Sequence, residues 1–128
     1  MSNTLHAVRI DIDGTLTDLQ LPVYEGLGTA LREQVDGRVQ ITHHDNLKRI
    51  RPLSLAVDAD GWARKEENLY ATALISALYR KRVLCLLGPV VLLGPLDDTR
   101  HHTDVPEALR KILPEVMEAL KTRFSPTV

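Results

Sequence analysis

Two carboxylates stand two residues apart in the segment Asp11–Thr17, DIDGTLT. If a strand end presents both to one site, Asp11 and Asp13 could bind a divalent cation or do nucleophilic and acid–base work. The same residues have a plainer reading. Val8, Ile10 and Ile12 alternate with Arg9, Asp11 and Asp13, the period of a strand with one wet face. Asp13-Gly14 is a strong hairpin signal, which would make the two aspartates wet-face and turn residues.

Histidine is the next candidate. His43-His44 lies beside Asp45, and His101-His102 lies near Asp104. Adjacent strand residues point to opposite faces, so neither pair is expected to offer both rings to one ion. Zinc sites also need three or four converging ligands, so the sequence assigns no metal site to the histidines. His6, before a strand, carries no signal. Lys48, Arg49, Arg51, Arg64 and Lys65 form a basic scatter, but Asp45, Glu66 and Glu67 offset it. Trp62 is the only tryptophan and follows an Asp60-Gly61 turn signal. A large aromatic there reads either as a cap on the core or as an interface anchor, and exposed Trp is enriched at binding hot spots.

These side chains belong to a chain of 128 residues, the size of one domain with one core. The single Phe and single Trp make that core aliphatic. A formal net charge of −1 is no electrostatic footprint for nucleic acid. Cys85 is the only cysteine, which excludes an internal disulfide and fits a reducing cytosol. Its place in an apolar run reads as a small buried hydrophobe. Met1–His6 is polar and no basic, then apolar, leader follows, so a soluble cytoplasmic protein is expected.

The elements that must position the candidates centre on Val83–Gly94, VLCLLGPVVLLG. It is the most apolar run and is too short to cross a bilayer, which takes about 20 apolar residues. It reads as a buried central strand, or two short strands meeting at Gly88-Pro89. Upstream, Ala7–Ile12 and a return strand from Leu16 to Leu21 form a hairpin. A helix over Tyr24–Val35 ends at Asp36-Gly37. Strands follow at Arg38–His43 and Pro52–Asp58, with a polar stretch, His44–Arg51, between them. A short strand is expected around Trp62. Asn68 caps a helix to Tyr79 whose stripe is Leu69, Ala73, Leu74 and Leu78. Arg80-Lys81-Arg82 at its end complements the helix dipole or forms a small anion patch. Asp104 opens a last helix with Leu109, Ile112, Leu113, Val116 and Leu120 inward, kinked or split by Pro114. Residues from about 124 to 128 read as a disordered tail.

Asp11–Thr17 resembles the first motif of the haloacid dehalogenase phosphatases. The resemblance implies Asp11 as nucleophile, Asp13 as acid/base and Mg²⁺ on the carboxylates. Asp97-Asp98, after the apolar run, would supply the metal-binding acidic pair, with Thr72 or Ser76 and Lys81 available for the remaining motifs. That family's core is parallel, whereas a strand leading into a hairpin is antiparallel. The order of elements from Ala7 to Leu113 resembles a small family of bacteriophages and mobile elements called domain of unknown function 3846. NLYATAL (Asn68–Leu74) and LLGPVVLLG (Leu86–Gly94) are the most specific parts. It implies an accessory protein in a host cytosol and no reaction.

The expectation is an α+β domain, a mainly antiparallel sheet with two or three helices packed on it. Its leading function is non-enzymatic binding or modulation of a host protein or small ligand, with no cofactor. A Mg²⁺-dependent phosphatase using Asp11 and Asp13 is the alternative. An exposed sheet edge at the return strand or near Trp62 invites a second copy, giving a homo-oligomer with Trp62 near the contact. No membrane or nucleic-acid partner is expected.

Overall fold

β1 (Thr4–Ile10) carries two apolar sets, Leu5 and Ala7 on one face, Val8 and Ile10 on the other. In the computed structural model, which describes residues 4–44, 53–79 and 85–124, both sets are buried. β1 pairs antiparallel with β2 (Leu16–Pro22), from Thr4↔Pro22 to Ile10↔Leu16. β3 (Val39–His44) pairs antiparallel with β4 (Leu53–Asp58). β5 (Val90–Leu93) lies between the two hairpins and pairs antiparallel with both β1 and β4. The sheet is five-stranded and antiparallel, in the order β2-β1-β5-β4-β3.

Helices cover both faces, so the one wet face expected for β1 is not there. α1 (Leu27–Val35) buries Leu31 and Val35 against Leu5, Ala7, Val91 and Leu93. α3 (Leu69–Tyr79) and α4 (Glu107–Phe124) cover the other face, around Val8, Ile10, Leu55 and Leu92. Arg9 faces the α1 side. Its guanidinium donates to Gln34 Oε1 at 2.6 Å and pairs with Asp11, which is how a charge is held on a covered face.

Several boundaries differ from the sequence reading. Gly26 stands before α1 with φ of 89°, so the helix starts at Leu27 and Tyr24 stays outside it. Trp62 sits on no strand but on a single helical turn, α2 (Gly61–Arg64). Gly61 keeps out of the left-handed region that hairpin turns use, while Gly14 enters it with φ of 85° and donates its N–H to the Asp11 carbonyl within the longer β1–β2 connection. Leu69 is exposed, and α3 turns Ala71, Leu74, Ile75 and Tyr79 inward. α4 runs unbroken through Pro114, because Leu109 and Leu113 before it and Met117 after it bury on one face. Ile112 is exposed rather than inward.

The apolar run is divided. Val90–Leu93 is the central strand and is fully buried. Gly88, at φ of 71°, turns the chain before it. Leu87 makes an isolated bridge with Glu67, Leu86 is partly buried, and Cys85 is exposed rather than in the core. Val83 and Leu84 lie outside the described residues, as do Pro52, Arg80-Lys81-Arg82, the stretch from Asp45 to Arg51, and the tail beyond Phe124.

Asn68 locks the centre. It is fully buried, its Oδ1 accepts from the Ala71 N–H, and its Nδ2 donates to Ile10 O at 2.8 Å and Gly88 O at 2.9 Å. One side chain thus caps α3 and fastens the end of β1 to the bend before β5.

Candidate binding surface

The antiparallel sheet sorts the candidate residues to two ends. At one end are the β1–β2 turn, α2, and the Gly88-Pro89 bend. At the other are the start of β1 and the loop that follows β5, residues 94–106.

At the first end, Asp11, Ile12 and Asp13 share a cleft of 540 Å³ with Lys65, Glu66, Gly88 and Pro89. Asp11 is committed: Arg9 Nε donates to Oδ1 at 2.9 Å and Nη2 approaches Oδ2 at 3.5 Å. Asp13 builds the turn, its Oδ1 accepting the Thr15 N–H at 2.9 Å. The backbone and hydroxyl of Thr15 hold its carboxyl below the usual carboxylate range. The Lys65 stem lies over Gly88 and its ammonium meets Asp36 at 3.2 Å. A hydrogen bond to the Glu67 carboxylate, and that group's negative charge, push the Cys85 thiol up from its ordinary value, the opposite of an activated thiolate.

Trp62 is 78 % exposed at this same end. Gly61 beneath it presses on Leu87, where an added Cβ would lie 3.2 Å from the Leu87 Cβ. The turn is therefore seated closely against the chain leading into β5. Ile12 and Leu69 are exposed here too. Among the described residues, the expected edge at the return strand is present, since β2 is a terminal strand of the sheet, whereas Trp62 lies off the sheet.

Asp97 and Asp98 stand at the opposite end. β5 runs antiparallel to β1, with Ile10↔Val90 and Val8↔Leu92, so the chain leaving β5 emerges beside the start of β1. The four carboxylates of the Mg²⁺ reading are therefore not brought together. The available donors do not fit the ion, because Arg9 already occupies Asp11 and Asp13 serves its own turn. Asp97 is likewise a turn builder. Its Oδ1 accepts from the Thr99 N–H, the Thr99 hydroxyl and the His101 N–H, and these bonds lower its carboxyl pKa. Thr72 Oγ1 accepts the Leu86 N–H at 2.9 Å, a structural use. Lys81, Lys48, Arg49 and Arg51 lie outside the described residues, as does the side chain of Arg64.

The histidine pairs split and recombine. His43 on β3 and His102 on the loop lie with ring centres 6.1 Å apart and planes 12° from parallel. His43 Nδ1 is 2.9 Å from Ser54 Oγ, and His102 Nδ1 is 3.3 Å from Gly94 O. Burial pushes the His102 pKa down, with His43 adding to the effect and the Gly94 carbonyl opposing it. His101 turns away, edge-on to Tyr24 at 4.2 Å. His6 is held between Arg110, whose Nη1 donates to Nδ1 at 2.7 Å, and the Gln20 amide. Sequence reasoning missed the His43–His102 encounter, since it depends on where a loop folds back. Among the described residues no three His, Cys, Asp or Glu side chains converge as a metal centre, and no helix is long and apolar enough to cross a membrane.

A second cleft, of 480 Å³, separates the β1–β2 hairpin from α4 and is lined by Val8, Leu16, Asp18, Arg110, Met117 and Lys121. No protein-family model, curated protein or solved structure matches this chain.

Proposed function

We propose that this chain is a non-enzymatic binding protein that docks on a protein surface, a host protein or a second copy of itself, with Trp62 as the anchor. The observation that carries this reading is the 78 % exposure of Trp62 on a turn seated closely on its support. A large aromatic held out at low conformational cost loses little entropy when a partner covers it. The setting as a phage or mobile-element accessory in a host cytosol rests on the resemblance in element order alone. A small-ligand version of the reading would use the cleft beside α4.

Light scattering over a concentration series tests self-association. The expected result is a mass above that of one chain at high concentration, falling to the monomer in Trp62→Ala. A monomer throughout removes the homo-oligomer, and an unchanged mass in the variant removes the role of Trp62.

The phosphatase reading keeps one favourable observation, that Asp11 and Asp13 open on one cleft with Lys65 on its wall. With Mg²⁺ and a generic phosphomonoester, no turnover is expected. Turnover abolished by Asp11→Asn would replace the binding reading with this one.

A further inference from the structure

β2 is a terminal strand of the sheet, paired one residue against one with β1 from Thr4↔Pro22 to Ile10↔Leu16. The Asp11 N–H donates to the Thr15 carbonyl at 3.0 Å, so Asp11 and Thr15 continue the ladder as a hydrogen-bonded pair. Such pairs alternate along an antiparallel ladder, so Thr17, Leu19 and Leu21 turn their N–H and C=O groups to β1. His6 on β1 agrees with this alternation, since its N–H and C=O both leave β2 behind, for Asp104 and Val105. Leu16, Asp18 and Gln20 therefore turn their backbone groups outward, and among the described residues no backbone group bonds to them there. Pro22 adds a carbonyl and no donor. Outward N–H and C=O groups repeating every second residue are matched by another extended chain. The side chains of these residues share a face. Asp18 lies opposite Val8 and so faces the α4 side, with Leu16 and Gln20. The cleft of 480 Å³ between them and α4 has Val8, Leu16, Leu113 and Met117 as its apolar lining. Its cations are drawn elsewhere, Arg110 to His6 Nδ1 and Lys121 to Glu118 at 3.8 Å. The exposed Asp18 carboxylate has no hydrogen bond or ion pair among the described residues.

We infer that β2 and the cleft beside α4 form a docking groove for an extended segment of a partner protein, added antiparallel to β2 with a Lys or Arg facing Asp18. The groove is a second surface, three strands away from β4 and the Trp62 turn that follows it. The residue opposite Asp18 exchanges both backbone bonds with it, and its cation meets the unpaired carboxylate. Two residues further on, an apolar side chain lies against Leu16 at the cleft. The residue before the cation falls on the other face, beside Leu19 and the apolar layer under α1. A second copy of β2 paired about Asp18 would set two carboxylates opposite each other, which is destabilising, so the charge favours a foreign cationic segment.

The probe is the peptide acetyl-Thr-Val-Lys-Thr-Leu-Thr-amide, titrated into the full chain and followed through the backbone amide resonances. In the free chain the amides of Leu16, Asp18 and Gln20 should exchange with solvent much faster than those of Thr17, Leu19 and Leu21. The peptide should shift and protect the first three. Replacing its Lys by Glu should weaken binding about five-fold, and Asp18→Lys should reverse that preference. A methyl group on the Lys backbone nitrogen removes a donor to β2 and should abolish binding. The same group on the Val nitrogen points away from β2 and should be tolerated. No shift at millimolar peptide, equal affinity for the Glu peptide, or indifference to where the methyl sits would each overturn the groove. Outward amides already protected in a dimeric free chain would give the edge to a second copy and overturn it too.

Discussion

Asn68 makes three hydrogen bonds from one buried side chain, and two of them end on carbonyls 58 and 20 residues away in the sequence. Its capping role is legible from its place before an apolar helix. The other two bonds are not, because nothing local to Asn68 points to Ile10 or Gly88. Asn68→Ala removes the cap and strands two buried carbonyls, a loss of roughly 3–4 kcal/mol from the cap and desolvation terms together. A urea melt measures it, and a change near zero would refute the lock. Asp11 and Asp13 teach the reverse lesson. Their spacing suggests chemistry, but Arg9 and the Thr15 amide already engage them. His102 gives the molecule a pH dependence. Its folded pKa lies below the unfolded value of about 6.5, so the unfolded chain binds the extra proton first. Stability is therefore fully present above about pH 6.5 and is lost as pH falls through the folded value. Denaturant midpoints between about pH 5 and 8 should flatten in His102→Gln.

The elements were legible in type more than in extent. Alternation and the Asp13-Gly14 turn give the first hairpin, alternation gives the two strands of the second but not their pairing, and the apolar run gives the centre of the sheet. The run overstates the strand because apolar residues also line the approach to it: Leu86 packs on the core from outside β5. Leu92→Ala should cost about 2–5 kcal/mol, since its side chain is fully buried in the central strand. Leu86→Ala should cost about half that or less. Equal losses in paired denaturation curves would contradict the division at Gly88. The covering of both sheet faces was hidden by Arg9, whose charge reads as solvent-facing in sequence and is instead satisfied by Gln34 of α1. Trp62 was misplaced for a related reason. Asp60-Gly61 has hairpin composition, but Gly61 does not take the backbone angles such a turn uses.

For the whole molecule, the net charge of −1 and the aliphatic core were legible, and so was the fold class. The order of strands was not, because it depends on which hairpin edge receives the last strand. β5 is last along the chain and third in the sheet, between β1 and β4. During synthesis both hairpins emerge first, each with an open edge facing a gap that one strand will fill. Closing that gap requires contacts across more than half the chain, which slows folding and leaves the edges exposed meanwhile. In that interval a β5 from a neighbouring chain fits the gap as well as the chain's own. Its departure point, the Gly88-Pro89 bend, is then the natural hinge for an exchange of β5 and α4 between two copies.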